Sequence, residues 1–155
     1  MSEENVEIVR RAYETGDDAY YGRIEALHEA HESGDFAEFL PATDELVNAD
    51  FVLRTPEGGL FPEGGTTEWR GREGFIRFVA QQAEAFESMW IEPEEFIDAG
   101  NKVVVPLQFG GRARSTGIEV KFALVHVVTI HDRKAARIDI YVTKTEALEA
   151  AGLSE

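Results

Sequence analysis

A change of hydrophobic period near the middle of the chain constrains the fold more than any other feature. Helical spacing of apolar residues gives way, from Trp90 onward, to apolar residues at every second position. Short polar or Gly-containing turns separate the segments with this second pattern, which are 90–98, 102–113, 118–131 and 136–143. We therefore predict a meander of antiparallel strands in the second half of the chain.

The first half of the chain carries mainly helical patterns. Apolar residues at i, i+3 and i+7 predict a helix over 3–15, which the Gly- and Asp-containing run 15–18 is expected to break. A second helix is predicted over 20–34, where Gly34 is a candidate C-cap. A strand is predicted over 51–55, and the most regular helical pattern covers 72–88.

Helices followed by an antiparallel meander indicate an α+β fold, in which one curved sheet packs against helices on one face. Strand 118–131 is apolar on both faces, so the second face needs a cover of its own, and we expect a homodimer through that face. The Gly- and Pro-rich stretch 56–67 is predicted to be a surface loop that forms a lid or a pocket rim.

Composition excludes several classes of function. The 155 residues include no cysteine, so disulfide scaffolds, thiolate zinc sites and cysteine nucleophiles are ruled out. The formal net charge is −15, and the first 50 residues hold 14 acidic and 3 basic side chains. Such a surface repels phosphate, so we expect neither nucleic acid nor anionic membrane as a partner. With no signal-peptide pattern or long apolar run, a soluble cytoplasmic protein is expected.

Four segments carry a pattern in their order and spacing rather than in any one motif. They are Asn5-Val6-Glu7-Ile8-Val9-Arg10-Arg11-Ala12-Tyr13, Trp69-Arg70-Gly71-Arg72-Glu73-Gly74, Glu94-Glu95-Phe96-Ile97-Asp98-Ala99-Gly100 and Thr145-Glu146-Ala147-Leu148-Glu149-Ala150-Ala151-Gly152-Leu153. This ordered set resembles the SnoaL-like proteins of the NTF2-like superfamily, over nearly the whole chain except residues 15–33. We therefore expect a single domain over 1–155 with an extra helical insertion at about 15–33.

The resemblance implies a cone, in which a strongly curved antiparallel sheet wraps around N-terminal helices and one long central helix. It also implies an internal pocket for a small hydrophobic molecule. Relatives include polyketide cyclases, ketosteroid isomerases, epoxide hydrolases and dehydratases, and they often dimerise through the convex sheet face. No cofactor is expected. Because one fold supports many reactions, the resemblance narrows the function only weakly.

The acids that ketosteroid isomerase-like relatives use for proton transfer are not found at the matching positions. Where those relatives have a base before a proline, this chain has Thr55, which does not act as a general base at neutral pH. The second acid position falls near Val125, and the expected tyrosine of the first helix falls on Ala12, one residue from Tyr13. The resemblance further implies that Val125 and Ile140 line an apolar pocket.

The last predicted hairpin brings a histidine and an aspartate together. If 132–133 forms a two-residue turn, the register pairs His126 with Asp139, which makes the two residues candidates for a catalytic dyad. The same register pairs Val125 with Ile140 on the opposite face. A slip of one residue exchanges the faces, and on the convex face the His126–Asp139 pair is instead a structural or dimer-interface contact.

The remaining site candidates are aromatic or form a cluster of titratable groups. The predicted pocket-lining residues are Tyr13, Thr55, Trp69, Phe78, Val125, Ile140 and Tyr141. Tyr13, Tyr20 and Tyr21 either lend a hydroxyl to a ligand or serve as core aromatics with polar tips. The titratable cluster lies on the second predicted helix, where carboxylate and imidazole side chains have the i, i+3 spacing of metal ligands: Glu25, His28, His31 and Glu32. One helix supplies too few convergent ligands, so no metal site is predicted.

Two functions are consistent with these features. The first is acid–base chemistry of the isomerase, cyclase or hydrolase type on a small hydrophobic compound, for which the candidate dyad is the main support. The alternative is a non-catalytic protein that binds a hydrophobic ligand or serves as a dimeric scaffold, because Thr55, Val125 and Ile140 stand where catalytic relatives carry acids. The sequence does not decide whether the protein is an enzyme.

Overall fold

The computed structural model of the protein describes residues 2–56 and 68–153, so nearly all of the predicted loop 56–67 lies outside the described residues. The helices in this range are α1 Ser2–Ala19, α2 Ile24–Ser33, α3 Leu40–Leu46, α4 Gly71–Ala85 and α5 Lys144–Ala150. The strands are β1 Val47–Arg54, β2 Glu68–Arg70, β3 Phe86–Pro93, β4 Ile97–Ala99, β5 Lys102–Ala113, β6 Glu119–His131 and β7 Lys134–Tyr141. The predicted α+β class with a curved sheet is confirmed.

The described strands form one sheet in the order β2-β1-β7-β6-β5-β3, and β4 pairs with β5. The predicted antiparallel meander corresponds to β3, β5, β6 and β7. The sequence patterns did not indicate β2, which pairs with β1, or the parallel pairing of β1 with β7. These pairs extend the sheet beyond the meander and bring the first strand next to the last.

The first helix is longer than predicted. The sequence suggested a break at 15–18, but α1 continues to Ala19, and the Tyr20 amide donates to the carbonyl of Gly16 at 2.9 Å. A glycine inside a helix costs only about 1 kcal/mol, which packing of the neighbouring tyrosines can offset. The prediction of a break was therefore wrong, and residues 13–19 lie on one continuous helix. No helix within the described ranges is long and apolar enough to cross a membrane.

The core lies between the helices and one face of the sheet. The helix α4 buries Ile76, Val79 and Ala83 completely or nearly so, in line with its helical spacing. Alternate residues of β5, including Val105 and Leu107, face these side chains and are fully buried. We refer to this helix-packed face of the sheet as the inner face.

The opposite, outer face is partly covered by α5. Val125 and Val127 of β6 pack against Ala147 and Leu148 of this helix in a second apolar cluster. The expectation of a homodimer rested on the need to cover this face, and α5 of the same chain meets that need in part. Ile118, just before β6, remains 62% exposed. Dimerisation through the outer face stays a prediction.

A tight turn and a bulge determine the register of the last hairpin. Asp132 and Arg133 both have positive φ, as in a type I′ turn, so the predicted two-residue turn and the His131–Lys134 pair are confirmed. Ile130 then pairs with Ala135 but Thr129 pairs with Arg137, so Ala136 is an extra residue on β7. This β-bulge shifts all later pairs by one residue relative to the register predicted from the sequence.

We expect Gly110→Ala in β5 to destabilise the protein, because an added Cβ would overlap the indole ring of Trp90 on the neighbouring strand. Overpacking of this kind costs about 1–3 kcal/mol of the free energy of unfolding, measurable by urea denaturation. Gly16→Ala is the matched control, because its Cβ would lie 3.8 Å from Tyr20, an ordinary contact. That variant should gain about 0.5–1 kcal/mol if α1 is continuous. Loss of stability in both variants, or in neither, contradicts this packing.

Candidate functional site

An apolar cavity of about 120 Å³ lies between α1, α4 and the inner face of the sheet. Its walls are mostly aliphatic and aromatic. Its polar side chains in the described part of the chain are Tyr13, Asp17, Tyr20, Tyr21 and His126. Asp17 and Pro93 are exposed to solvent and also line the cavity, so the cavity reaches the surface near these two residues. A mostly apolar space with few polar groups is the usual form of a small-molecule site.

His126 faces this cavity through the regular alternation of β6, and the bulge in β7 determines which residue of that strand lies beside it. The shifted register pairs His126 with Ile140, and both side chains line the cavity on the inner face. The hydroxyl of Tyr13, on α1, lies 2.6 Å from Nδ1 of His126 and forms a hydrogen bond with it. A residue of the first helix and a residue of the sixth strand therefore meet inside the cavity.

Burial sets the protonation of this pair. It lowers the pKa of His126 to about 4, because the charged imidazolium loses its hydration. Burial, together with the neighbouring Tyr21, raises the pKa of the Tyr13 hydroxyl well above its ordinary value. Both groups are therefore neutral at pH 7. We assign the Tyr13 hydroxyl as the donor and Nδ1 as the acceptor, because the reverse bond would leave the hydroxyl proton without a partner among the described residues. With this assignment the ring proton lies on Nε2.

Nε2 of His126 has no hydrogen-bond partner among the described residues. His126 also lines a second void of about 20 Å³, so its ring lies at the border of the two spaces. A neutral imidazole held in one tautomer presents an N–H donor of fixed direction. Such a donor can bind a carbonyl oxygen and stabilise negative charge that develops on it.

Asp17 and Tyr21 add a carboxylate and a second hydroxyl to the cavity wall. The carboxylate of Asp17 forms no ion pair with any residue that the structure describes. Burial raises the pKa of Tyr21, and the charge of Asp17 raises it further. Tyr20 differs from both, because its hydroxyl bonds to the buried Thr43 hydroxyl at 2.5 Å and its role is structural.

The predicted His126–Asp139 pair is wrong. Asp139 pairs with Val127 on the outer face, and Arg137 holds its carboxylate with two hydrogen bonds of 2.8 and 3.1 Å. The physical reason is the extra residue Ala136, which the prediction of an uninterrupted ladder did not include. The imidazole thus lies inside the cavity without its predicted acid.

The structure divides the predicted pocket-lining residues between the two faces. Tyr13, Phe78 and Ile140 line the cavity. Val125 and Tyr141 belong to the outer cluster with α5, so their predicted place in the pocket is wrong, again because of the shifted register.

Two further pocket candidates lie close to the segment that is not described. Trp69 contacts Phe78 edge-on, with ring centroids 5.6 Å apart, but does not line the cavity itself. Thr55 follows β1 and is likewise not one of the described lining residues. Neither residue therefore contributes to the cavity wall in the part of the chain that the structure describes.

Sequence reasoning missed Asp17 as a site residue. Tyr13, Asp17 and Tyr21 have i, i+4, i+8 spacing, which puts them on one helical face. This signal was hidden by the predicted break at 15–18. A helix that continues through 15–18 places Tyr13 and Asp17 on one face, and Tyr21 follows in the short 3₁₀ turn after it.

The titratable cluster on α2 gains a member from α4. Nε2 of His28 lies 3.2 Å from the carboxylate of Glu84, and Nε2 of His31 lies 3.5 Å from it. Donor atoms of His28, Glu32 and Glu84 lie within 4.8 Å of one another and are of the type that divalent metals bind. The same contacts are those of hydrogen bonds that join the two helices, and all of these side chains are partly or largely exposed.

The architecture defines the chain as an α+β protein whose curved, open sheet packs over helices around an apolar cavity. The sequence then gives the family. A model of the SnoaL-like domain matches residues 24–138, and the chain belongs to that family. No curated protein matches the sequence.

Solved structures share the fold at low sequence identity. An NTF2-like protein of unknown function from Burkholderia pseudomallei K96243 is 22% identical, with 96% of this chain and 97% of that chain covered and a TM-score of 0.65. A putative SnoaL-like polyketide cyclase from Jannaschia sp. CCS1 is 20% identical, with 97% of this chain and 92% of that chain covered and a TM-score of 0.67. An NTF2-like protein from Anabaena variabilis ATCC 29413 is 15% identical, with 93% of this chain and 92% of that chain covered and a TM-score of 0.65. These likenesses define the fold and leave the reaction open.

The low pKa of His126 predicts a loss of stability in acid. In the unfolded chain His126 binds a proton below its ordinary pKa of 6.5, whereas in the folded chain it does so only near pH 4. The free energy of unfolding therefore falls as the pH is lowered through this window. The loss is about 2–3 kcal/mol of unfolding free energy by pH 4.5. His126→Gln cannot titrate, so urea denaturation should show a correspondingly smaller loss between pH 7 and 4.5. His28→Gln is the control, because it removes a histidine that is partly exposed. An equal loss of stability in the wild type and in both variants contradicts a neutral ring at His126.

Proposed function

We propose that the protein binds a small, mainly apolar carbonyl compound in the cavity between α1, α4 and the sheet. The carbonyl oxygen accepts a hydrogen bond from the Nε2–H of His126. The observation that carries this proposal is the neutral imidazole, whose Nδ1 bonds to Tyr13 and whose Nε2 has no partner among the described residues. The apolar surroundings strengthen this hydrogen bond, because a polar contact is electrostatically stronger in an apolar site than in water.

The size of the cavity limits the ligand. An apolar cavity of about 150 Å³ binds one benzene ring in another protein, so a volume of about 120 Å³ suits one ring with short substituents. A larger molecule fits only if part of it extends through the open end near Asp17. Aromatic walls such as Phe75 and Phe78 favour a flat, apolar ligand body.

The same geometry supports acid–base chemistry on the ligand. A hydrogen bond from Nε2–H to the carbonyl oxygen stabilises the enolate that forms when a neighbouring carbon loses a proton. Asp17 is the base in this proposal, because its carboxylate lines the same cavity and forms no ion pair with the described residues. Tyr13 acts as a positioning residue that fixes the imidazole tautomer. The reaction is of the isomerase or cyclase type, since both begin by moving such a proton.

A non-catalytic ligand-binding protein is the alternative. The small number of acidic groups favours this alternative. Asp17 is the one carboxylate among the described residues that line the cavity, and this side chain is exposed to solvent. A solvated carboxylate is a weaker base than a desolvated one. Under this alternative the same carbonyl compound binds to His126 and is released unchanged.

Acetophenone tests both functions, because it has one ring, a carbonyl and exchangeable methyl protons. We expect binding in NMR titrations and faster exchange of the methyl protons in D₂O. His126→Leu should weaken binding about 3- to 10-fold through loss of one hydrogen bond, and His126→Gln, which keeps an N–H donor, should weaken it less. Asp17→Asn should keep the binding and reduce the exchange rate at least about 100-fold.

Glu14→Gln is the matched control, since Glu14 is an exposed acid on α1 that does not line the cavity. It should leave both readouts unchanged. Binding without enhanced exchange favours the non-catalytic alternative. Absence of binding, or binding that is equal in the wild type and in His126→Leu, contradicts the proposal.

A further inference from the structure

A buried glutamine next to the cavity is not explained by the packing of the fold. Gln82 on α4 is only 5% exposed, and among the described residues it and Thr43 are the polar side chains buried to this degree. Thr43 bonds to the Tyr20 hydroxyl and to the Phe39 carbonyl. Oε1 of Gln82, in contrast, has no hydrogen-bond partner in the described part of the chain. A buried unpaired acceptor is rare in native proteins and calls for a physical reason.

The surroundings of Gln82 supply that reason. Its side chain lines the void of about 20 Å³, together with Phe109, Phe122 and Leu124. Tyr21, Phe78 and His126 line both this void and the main cavity. The void, which we call the side compartment, therefore adjoins the main cavity, with the His126 ring at the border and an unpaired acceptor in its wall.

We propose that the ligand carries a hydroxyl or amino group that enters the side compartment and donates a hydrogen bond to Oε1 of Gln82, while the ligand carbonyl accepts from His126. This inference rests on the proposed function and specifies its ligand class as a single-ring aryl ketone with one hydrogen-bond donor. A void of about 20 Å³ holds a group the size of a water molecule, which needs about 10–15 Å³, but not a second ring.

The chemistry at the two ends makes the site selective. A ligand without the donor leaves the buried amide oxygen unpaired, and sites that contain an unpaired buried polar group discriminate strongly against such analogues. A ligand without the carbonyl leaves Nε2–H of His126 unpaired in the same way. His126 and Gln82 thus select a ligand by its carbonyl and donor groups rather than by its apolar surface.

The test compares the three positional isomers of hydroxyacetophenone with the matching fluoroacetophenones and with acetophenone. Fluorine is close in size to a hydroxyl and cannot donate. We expect one hydroxy isomer to bind wild-type protein at least about 5-fold more tightly than its fluoro counterpart, by calorimetry or NMR titration. In Gln82→Met, which keeps the side-chain length without the amide, this preference should disappear while acetophenone binds as before.

Gln81→Met is the matched control, because Gln81 is the exposed neighbour on the same helix. It should keep the hydroxyl preference. The two variants should also differ in stability: Gln82→Met removes an unpaired buried acceptor and should raise the urea midpoint, whereas Gln81→Met should leave it near that of the wild type. This second readout separates a change at the ligand from loss of folding.

The outcomes separate this inference from the proposed function. If acetophenone binds but no hydroxy isomer exceeds its fluoro counterpart, the role of Gln82 is overturned and the carbonyl site at His126 stands. A hydroxyl preference that survives in Gln82→Met also overturns the inference, because bound water or another group would then receive the donor. If none of the ketones binds, the proposed function itself fails.

Discussion

The extra residue Ala136 in β7 determines which chemistry faces the cavity. Successive side chains of a strand point to opposite faces, so a shift of one residue moves every later side chain to the other side of the sheet. The bulge aligns His126 with Ile140 on the inner face and turns Asp139 outward to Arg137. Without it, a histidine–aspartate pair would share one face. With it, the imidazole has a tyrosine from α1 as its partner.

The change of partner alters what the histidine can do. A carboxylate beside a buried imidazole favours the charged ring, whereas a neutral hydroxyl leaves desolvation unopposed, and the pKa falls to about 4. Such a ring is a poor base but a well-oriented hydrogen-bond donor. The apolar wall, the Tyr13 hydroxyl and the neutral ring therefore act together, since each loses its effect if water enters the cavity.

Sequence patterns predicted the regular parts of the fold well and the site only in part. The change to a period of two predicted the meander, and the turn at Asp132 and Arg133 was found as expected. The bulge could not be predicted, because Ala136 fits a regular strand as well as a bulge and only the packing of Ala135 and Ile138 on one face reveals it. Asp17 was missed for a related reason: a local helix-breaking signal at Gly16 was overridden by tertiary packing.

The most direct test of this account is the state and surroundings of the His126 ring at pH 7, read from its nitrogen chemical shifts and proton–proton Overhauser contacts. The account predicts a neutral ring protonated at Nε2, with contacts to the Ile140 methyl groups and to the Tyr13 ring. A charged ring in contact with Asp139 would contradict it, because that result requires a regular ladder in which Asp139 shares the face of His126.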